Sequence, residues 1–309
     1  MRRLLLTGAD GFIGRHCLPL LLAKGYEVHA VSLLPAGKNH PQLRWHQADL
    51  LNPGDVRELV VATKATHLLH LAWFVEHGKF WSAVENIRWV QASLDLFQAF
   101  VQAGGRRVLG VGSCAEYDWR YGYCSEQFTP LAPRTLYGTC KHCLQTMLGA
   151  LAKETGLSEA WGRIFFLYGP HEHPNRFVPS VTRSLLSGAP VRCRSEDRVR
   201  DLLSVEDVAS GLVAILESEV RGPINIASGH PTRLGEVVRK IAEHVGRADL
   251  IVHSTRKAPS GPDDPPLLVA DTTRLMREVR WKPCHTLDSG IARTVRWWQD
   301  RLSPEVSGR

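Results

Sequence analysis

Thr7-Gly8-Ala9-Asp10-Gly11-Phe12-Ile13-Gly14 is the stretch whose reading decides the fold. The short apolar run Arg2 to Thr7 precedes it, and an apolar stretch to Lys24 follows, with Gly25 as a stop signal. That order predicts strand, glycine-rich turn and helix. Glycine lets backbone amides approach a bound anion, and a helix N-terminus presents unpaired N–H groups, so the setting suits a dinucleotide pyrophosphate. The spacing is GxxGxxG rather than the general GxGxxG, and the competing reading is a glycine-rich turn that only packs. Pro19 fits poorly here, since a proline inside a helix costs about 3 kcal/mol.

Tyr26 to Leu33 reads as the second strand, which completes a βαβ unit with a right-handed crossover. Further strands are expected at His67 to Ala72, Arg107 to Val111 and Ala160 to Leu167, separated by helices such as Trp81 to Ala103 and Tyr137 to Thr155. The alternation predicts an α/β fold, a Rossmann-type doubly wound parallel sheet. After Tyr168-Gly169-Pro170 the texture changes to short elements rich in proline and arginine. Residues 1-167 are therefore expected to bind a dinucleotide. Residues 168-309 are expected to form mainly a smaller mixed α/β substrate-binding lobe, with segments around 203-226 returning to the first domain.

Composition bounds the function classes. The chain has 309 residues, 44% hydrophobic and 22% charged, as ordinary globular proteins do. The opening Met1-Arg2-Arg3-Leu4-Leu5-Leu6 resembles a secretion signal, but its apolar run breaks at Thr7-Gly8. No stretch reaches the roughly 18 apolar residues of a membrane helix, so no membrane association and a cytoplasmic location are expected. Seven scattered cysteines argue against a secreted disulfide framework and read as reduced thiols. The formal charge of +7 is dispersed, with no basic run or aromatic platform of the kind nucleic-acid binders carry. Phosphates on small molecules account for the excess equally well.

Tyr137-Gly138-Thr139-Cys140-Lys141 opens a predicted helix, and that spacing puts phenol and ammonium on one helical face. A tyrosine with an ordinary pKa near 10 is a poor acid–base group at neutral pH, so a neighbouring cation together with a nicotinamide is what would lower it. The pair alone is a common surface spacing. Ser113 adds weight, because it follows the strand ending Val108-Leu109-Gly110-Val111, at the sheet edge where α/β ligand sites gather. At the end of the second strand, Ser32 stands where NAD sites carry an acid, with Lys38 and Arg15 as nearby cations. This favours NADP(H), with NAD(H) as the alternative.

With those residues in place, the chain resembles an extended short-chain dehydrogenase/reductase of the NAD-dependent epimerase/dehydratase group, most of which modify nucleotide sugars. The resemblance runs through the glycine turn, Ala48-Asp49-Leu50, His70-Leu71-Ala72, Ser113 with Tyr117, Tyr137 to Lys141, Tyr168-Gly169-Pro170, and Arg200-Asp201 followed by Val205-Glu206-Asp207-Val208. It implies a catalytic triad of Ser113, Tyr137 and Lys141. For the cofactor it implies Gly8, Gly11, Phe12, Ile13 and Gly14 at the pyrophosphate, Asp49 and Leu50 near the adenine, Leu71 and Ala72 beside it, and Lys141 on the nicotinamide ribose. For the substrate it implies Arg200 on the sugar-nucleotide diphosphate, with Trp73 and Trp119 where the family builds its pocket. A homodimer through the two long helices is implied likewise.

Departures narrow the function. Family dehydratases follow the catalytic hydroxyl with Asp-Glu, whereas Cys114 and Ala115 stand here, so a 4,6-dehydratase is not expected. Phe166 replaces the asparagine usual before Tyr-Gly-Pro, and Gly261 stands for a second diphosphate arginine, leaving Arg176, Lys257 or His171 as candidate compensators. Cys140-Lys141-His142-Cys143 and His171-Glu172-His173 have metal-like texture without metal-site spacing, and no metal is expected. Trp297-Trp298 reads as core. The leading expectation is an NADPH-dependent reductase of a nucleotide-linked keto sugar, of the 4-keto-6-deoxy class, with the proton from Tyr137. A nucleotide-sugar epimerase with retained NAD is the alternative. An NADP(H)-sensing regulator without catalysis is a third reading from another class.

Overall fold

The computed structural model describes residues 2–34, 37, 40–252, 261 and 264–303. Seven strands, β1 Arg3–Thr7, β2 Glu27–Ser32, β3 Leu43–Gln47, β4 His67–His70, β5 Arg107–Ser113, β6 Ser158–Ile164 and β7 Gly222–Ile226, form one parallel sheet. Their spatial order is β3-β2-β1-β4-β5-β6-β7. The winding reverses between β1 and β4, and in open α/β sheets the crevice beyond the strand ends at such a point is where ligands sit.

The sheet is covered on both faces, which is why its strands are apolar at successive positions instead of alternate ones. Leu4 and Leu6 pack with α1 (Gly14–Ala23) and α6 (Val205–Glu217), while Leu5 packs with α2 (Pro53–Thr63), α3 (Glu85–Gln102) and α4 (Leu136–Thr155). Asn52 caps α2 through Gly54 N–H, and Thr135 caps α4 through Gly138 N–H. Helix α1 runs through Pro19 without a break.

A second sheet joins Pro231–Arg233, Val199–Ser204, Leu267–Ala270 and Tyr123–Cys124, with Phe166–Tyr168 also paired to Val199–Ser204. Helices α5 (Phe177–Leu186), α7 (Leu234–Val245) and α9 (Leu287–Leu302) enclose a separate core of Val178, Leu185, Val237, Ile241, Ile291 and Val295. Helix α8 (Thr273–Arg277) is short. Between these lobe segments the chain returns to the main sheet, where α6 packs against α1 and β7 pairs with β6. Among the described residues no helix is long and apolar enough to cross a membrane.

Three expectations are corrected. The single strand expected over Ala160 to Leu167 is two: β6 stays in the main sheet, and after Phe165 the segment Phe166–Tyr168 passes to the second. A continuous apolar run hides such a switch of sheets. The helix expected from Trp81 starts at Glu85, because Phe80 and Trp81 form a turn against Tyr137. The strand expected to reach Ala72 stops at His70, and the Leu71 and Ala72 amides turn to the Thr7 hydroxyl at 3.1 and 3.2 Å.

One buried network fixes the head of β5. Glu116 Oε1 accepts from Ser113 N–H and Trp161 Nε1, each at 2.9 Å, and Oε2 accepts from Arg163 Nε at 2.8 Å. Arg163 reaches on to Tyr117 Oη at 3.1 Å, which donates to Asn225 at 2.7 Å. Both members of the Glu116–Arg163 pair are closed to solvent. Removing one charge leaves the other buried without compensation. Glu116→Gln should therefore lower the unfolding free energy by about 3–5 kcal/mol, measured by urea denaturation. A loss under about 1 kcal/mol would contradict the role given to this pair.

Candidate active site

The glycine turn leaves no room for side chains. Gly8 has φ +66° and its Cβ would come within 2.9 Å of Ala72 N, while a Cβ on Gly14 would overlap Gly8 O. Ile13, ahead of α1, supplies no side-chain cap and the first turn holds no acid, while the Arg15, His16 and Cys17 N–H groups bond to the Gly11 and Ile13 carbonyls, which leaves the approach from Phe12 to Gly14 to a ligand. A phosphate fits there by hydrogen bonding and helix dipole together. Gly8, Gly11, Phe12, Ile13 and Gly14 all line one cleft of about 740 Å³.

At the end of β2 the Ser32 hydroxyl donates to Asp10 Oδ2 at 2.7 Å. A carboxylate therefore stands beside Ser32 even though β2 does not end in one. Arg15 turns back on its own turn, donating to Gly11 O at 3.2 Å and Asp10 O at 2.6 Å, and meets His171 Nδ1 at 2.7 Å. Lys38 and Lys257 lie outside the described residues. Leu50, Leu71 and Ala72 line the cleft. Asp49 turns its Oδ1 to Leu51 N–H at 2.9 Å and is not part of the wall.

Ser113, Tyr137 and Lys141 meet midway along the same cleft. Tyr137 sits in the first turn of α4 with its ring edge-on to Phe80 and Trp81, at centroid distances of 5.0 and 5.6 Å. Burial raises its hydroxyl pKa, and the Ser113 hydroxyl opposes that rise. Lys141 donates to Val111 O at 2.9 Å and lies 3.6 Å above the centroid of the Trp73 ring. Burial pushes its pKa down to about 7. In the absence of a bound cationic ring, Lys141 does not act on the tyrosine as a close cation. Its Nζ is 6.0 Å from the Tyr137 ring centroid and aims at a carbonyl, and burial governs both groups.

Trp73 lines the cleft, but its indole N–H is taken by the buried Asn86 at 2.8 Å, so its place is under Lys141. Trp119 donates to Cys114 O at 2.7 Å, packs on Trp81, and is not part of the cleft wall.

Three arginines, Arg176, Arg198 and Arg200, also line the cleft, Arg176 near Phe80 and Arg198 and Arg200 at the second sheet. Arg200 and Arg198 both pair with Asp264, and the Arg200 guanidinium lies 5.4 Å from the Phe166 ring centroid. Phe166, at the asparagine position, thus forms a flat support for a guanidinium. Arg198 was not singled out from the sequence; it stands just ahead of the strand Val199–Ser204 that carries Arg200. His171 points elsewhere, to Arg15 and the Trp297 ring. Glu172 is buried in the cleft wall.

Lys141 yields a test of the site's electrostatics. In the unfolded chain it titrates near its ordinary 10.5, and in the folded protein at about 7. Between those values the unfolded chain holds the extra proton, so stability falls as pH falls through this window and the loss is complete below about 7. Lysine side-chain NMR should place its midpoint near 7, and the stability of Lys141→Met should depend less on pH across that window. A midpoint at the ordinary lysine value with identical pH profiles would contradict this.

Comparison with known proteins agrees with the geometry. The model of the NAD dependent epimerase/dehydratase family matches residues 4–227. The chain is 24% identical to UDP-glucuronic acid decarboxylase 1 of Xenopus tropicalis over 320 aligned positions, covering 100% of this chain and 75% of the relative. Its fold matches a UDP-glucose 4-epimerase of Thermotoga maritima solved with UDP-glucose, at TM-score 0.84 and 23% identity, covering 97% and 100% of the two chains. It also matches a UDP-glucose 4-epimerase of Thermus thermophilus in complex with NAD, at TM-score 0.81 and 26% identity with the same coverage. A phosphate cradle at the switch point, a Ser-Tyr-Lys cluster in the same cleft and a family match over most of the chain converge: the protein belongs to the NAD dependent epimerase/dehydratase family.

Proposed function

We propose that the protein binds NAD(H) and moves a hydride to and from a secondary carbon of a nucleotide-linked sugar, in an epimerase-type cycle that retains the cofactor. The observation that carries this reading is the placement of Ser113, Tyr137 and Lys141 in one cleft that the glycine turn and the paired Arg198 and Arg200 also line. Cofactor choice turns on Asp10. Its carboxylate, held by Ser32, puts negative charge at the end of β2, where a 2′-phosphate would be repelled and ribose hydroxyls accepted as donors. Arg15, which favoured NADP(H) on sequence grounds, is occupied by the turn carbonyls and His171. The Thermus relative, itself an epimerase, is solved with NAD. Reduction by NADPH becomes the second reading, and a regulator without catalysis has no observation in its favour.

When bound, the nicotinamide accepts the hydride and gives it back, and its positive charge favours tyrosinate at Tyr137. Tyr137 takes the proton from the sugar hydroxyl as the carbon is oxidised and returns it on reduction, while the Ser113 hydroxyl holds the same oxygen. Glu116, bonded to Ser113 N–H, fixes the serine's backbone. Lys141 serves the ribose and the proton path. Arg198 and Arg200 suit a diphosphate, with Asp264 as the anion that a phosphate would replace. The buried Cys114 thiol, with its pKa raised by burial, and Ala115 supply no acid–base pair on the Ser113 side for elimination. Pairing of two copies through α3 and α4 belongs to the same proposal; those helices pack side by side and leave Ile87 and Met147 exposed.

Two outcomes are expected. Given NAD and a panel of UDP-, dTDP-, GDP- and CDP-linked sugars, the protein should interconvert a pair of stereoisomers without net accumulation of reduced cofactor. Tyr137→Phe should lower that rate at least about 100-fold while NAD affinity stays nearly constant. Stoichiometric consumption of NADPH by keto sugars would replace this reading with the reductase, and no reaction with any of them would sink both. For the cofactor, calorimetry should find NAD bound at least about tenfold more tightly than NADP, a difference of about 1.4 kcal/mol. Asp10→Ala should narrow that gap, and a wild-type preference for NADP would refute the role given to Asp10.

A further inference from the structure

Glu172 is out of place for a loop residue. It follows Tyr168-Gly169-Pro170, yet it is only 5% exposed and lines the cleft that holds Ser113 and Tyr137. Its Oε2 is buried and finds no hydrogen-bond partner among the described residues. An unmatched buried carboxyl oxygen costs free energy, so its persistence in a ligand cleft points to a partner that arrives with the ligand.

Its position relative to Tyr137 follows from the ring contacts. Arg176, just ahead of α5, lies 5.8 Å from the Phe80 ring centroid, and Phe80 meets Tyr137 edge-on at 5.0 Å. Glu172 and Arg176 are near enough for the guanidinium to act on the carboxyl, and Arg176 acts on Tyr137 as well. The carboxyl and the phenol therefore line the same cleft, with the Arg176 charge acting on both. Burial pushes the Glu172 carboxyl up to about 8, with Arg176 opposing, which leaves it near neutrality in the range a proton-transfer group needs.

We propose that Glu172 is a second acid–base residue, acting on a carbon-bound hydrogen next to the sugar carbon that Tyr137 serves, so that the protein exchanges that hydrogen while the neighbouring carbon is a ketone. The proposal rests on the nucleotide-sugar reading above. Once the carbinol is oxidised, the adjacent C–H is acidified. Glu172 in its carboxylate form takes the proton, the C–H electron pair becomes the C=C of an enolate, and the enolate oxygen is held by Ser113 and Tyr137. Glu172, now a carboxylic acid, returns a proton to the same carbon and the ketone re-forms. The protein and the sugar end as they began apart from the exchanged hydrogen, and the hydride stays on the reduced cofactor until it returns. The carboxylic acid lacking beside Ser113, where Cys114 and Ala115 stand, is thus supplied by Glu172 from elsewhere in the same cleft.

The test uses the NAD-loaded protein in D2O with a panel of UDP-, dTDP-, GDP- and CDP-linked hexoses and 4-keto-6-deoxyhexoses, read by mass spectrometry and NMR. Wild-type protein should introduce deuterium at a carbon flanking the oxidised or keto carbon. Glu172→Gln, which keeps shape and removes the base, should lose at least about 100-fold of that exchange while still reducing NAD or oxidising NADH with the same sugar. Exchange that persists in Glu172→Gln, or hydride transfer without deuterium in the wild type, overturns the proposal and leaves the nucleotide-sugar reading standing. Absence of hydride transfer with every sugar overturns both. If Glu172→Gln fails to fold, as judged by circular dichroism and NAD binding, Glu172→Asp takes its place, with retracted reach and the same expected loss of exchange relative to hydride transfer.

Discussion

Everything in this cleft depends on one close approach of backbone to backbone. The turn after β1 lies so near the chain leaving β4 that a Cβ on Gly8 would meet Ala72 N, and the turn closes on itself so tightly that Gly14 has no space for one. Thr7 completes the contact from the strand side, its hydroxyl serving the Leu71 and Ala72 amides and His70. That contact sets the α1 N-terminus where β1 and β4 part. The phosphate cradle and the sheet's switch point are consequences of the same packing, and the rest of the cleft is assembled from strands ending at that edge.

Burial then decides the chemistry of the groups placed there. Lys141 is not a free cation reaching for Tyr137; it is desolvated, bonded to Val111 O and laid on the Trp73 ring, which is itself held by Asn86. Desolvation lowers the lysine and raises the tyrosine, so both resting groups are close to neutral. A bound cationic ring is what converts such a pair into a proton carrier. Glu116 has the opposite fate, since Arg163 compensates its charge, and it serves as a fixed brace for Ser113.

Much of this was legible in the chain and some was not, for reasons of physics. The first βαβ unit and the Tyr137–Lys141 helix declare themselves through local spacing, because apolar runs, glycines and caps act over a few residues. The strand Leu43–Gln47 was not anticipated: it is an edge strand in which only Leu43 is buried, so it carries no apolar run. The split after Ile164 was hidden because the apolar run Ile164-Phe165-Phe166-Leu167 continues across it. Side-chain partners across the fold were the least legible. Asp10 meeting Ser32, Glu116 meeting Arg163, and Asp264 joining Arg198 to Arg200 each link residues far apart in sequence or on different strands, and no local pattern reports them.

The central claim is that one cleft carries a hydride between a nicotinamide and a sugar carbon while Tyr137 handles the proton on oxygen. A single-turnover experiment with NAD-loaded protein and a nucleotide sugar deuterated at the reacting carbon tests it most directly. The account predicts deuterium on the nicotinamide ring and slower appearance of reduced cofactor than with the protiated sugar. Product formation with the deuterium kept throughout on the sugar, and no isotope effect, would contradict it.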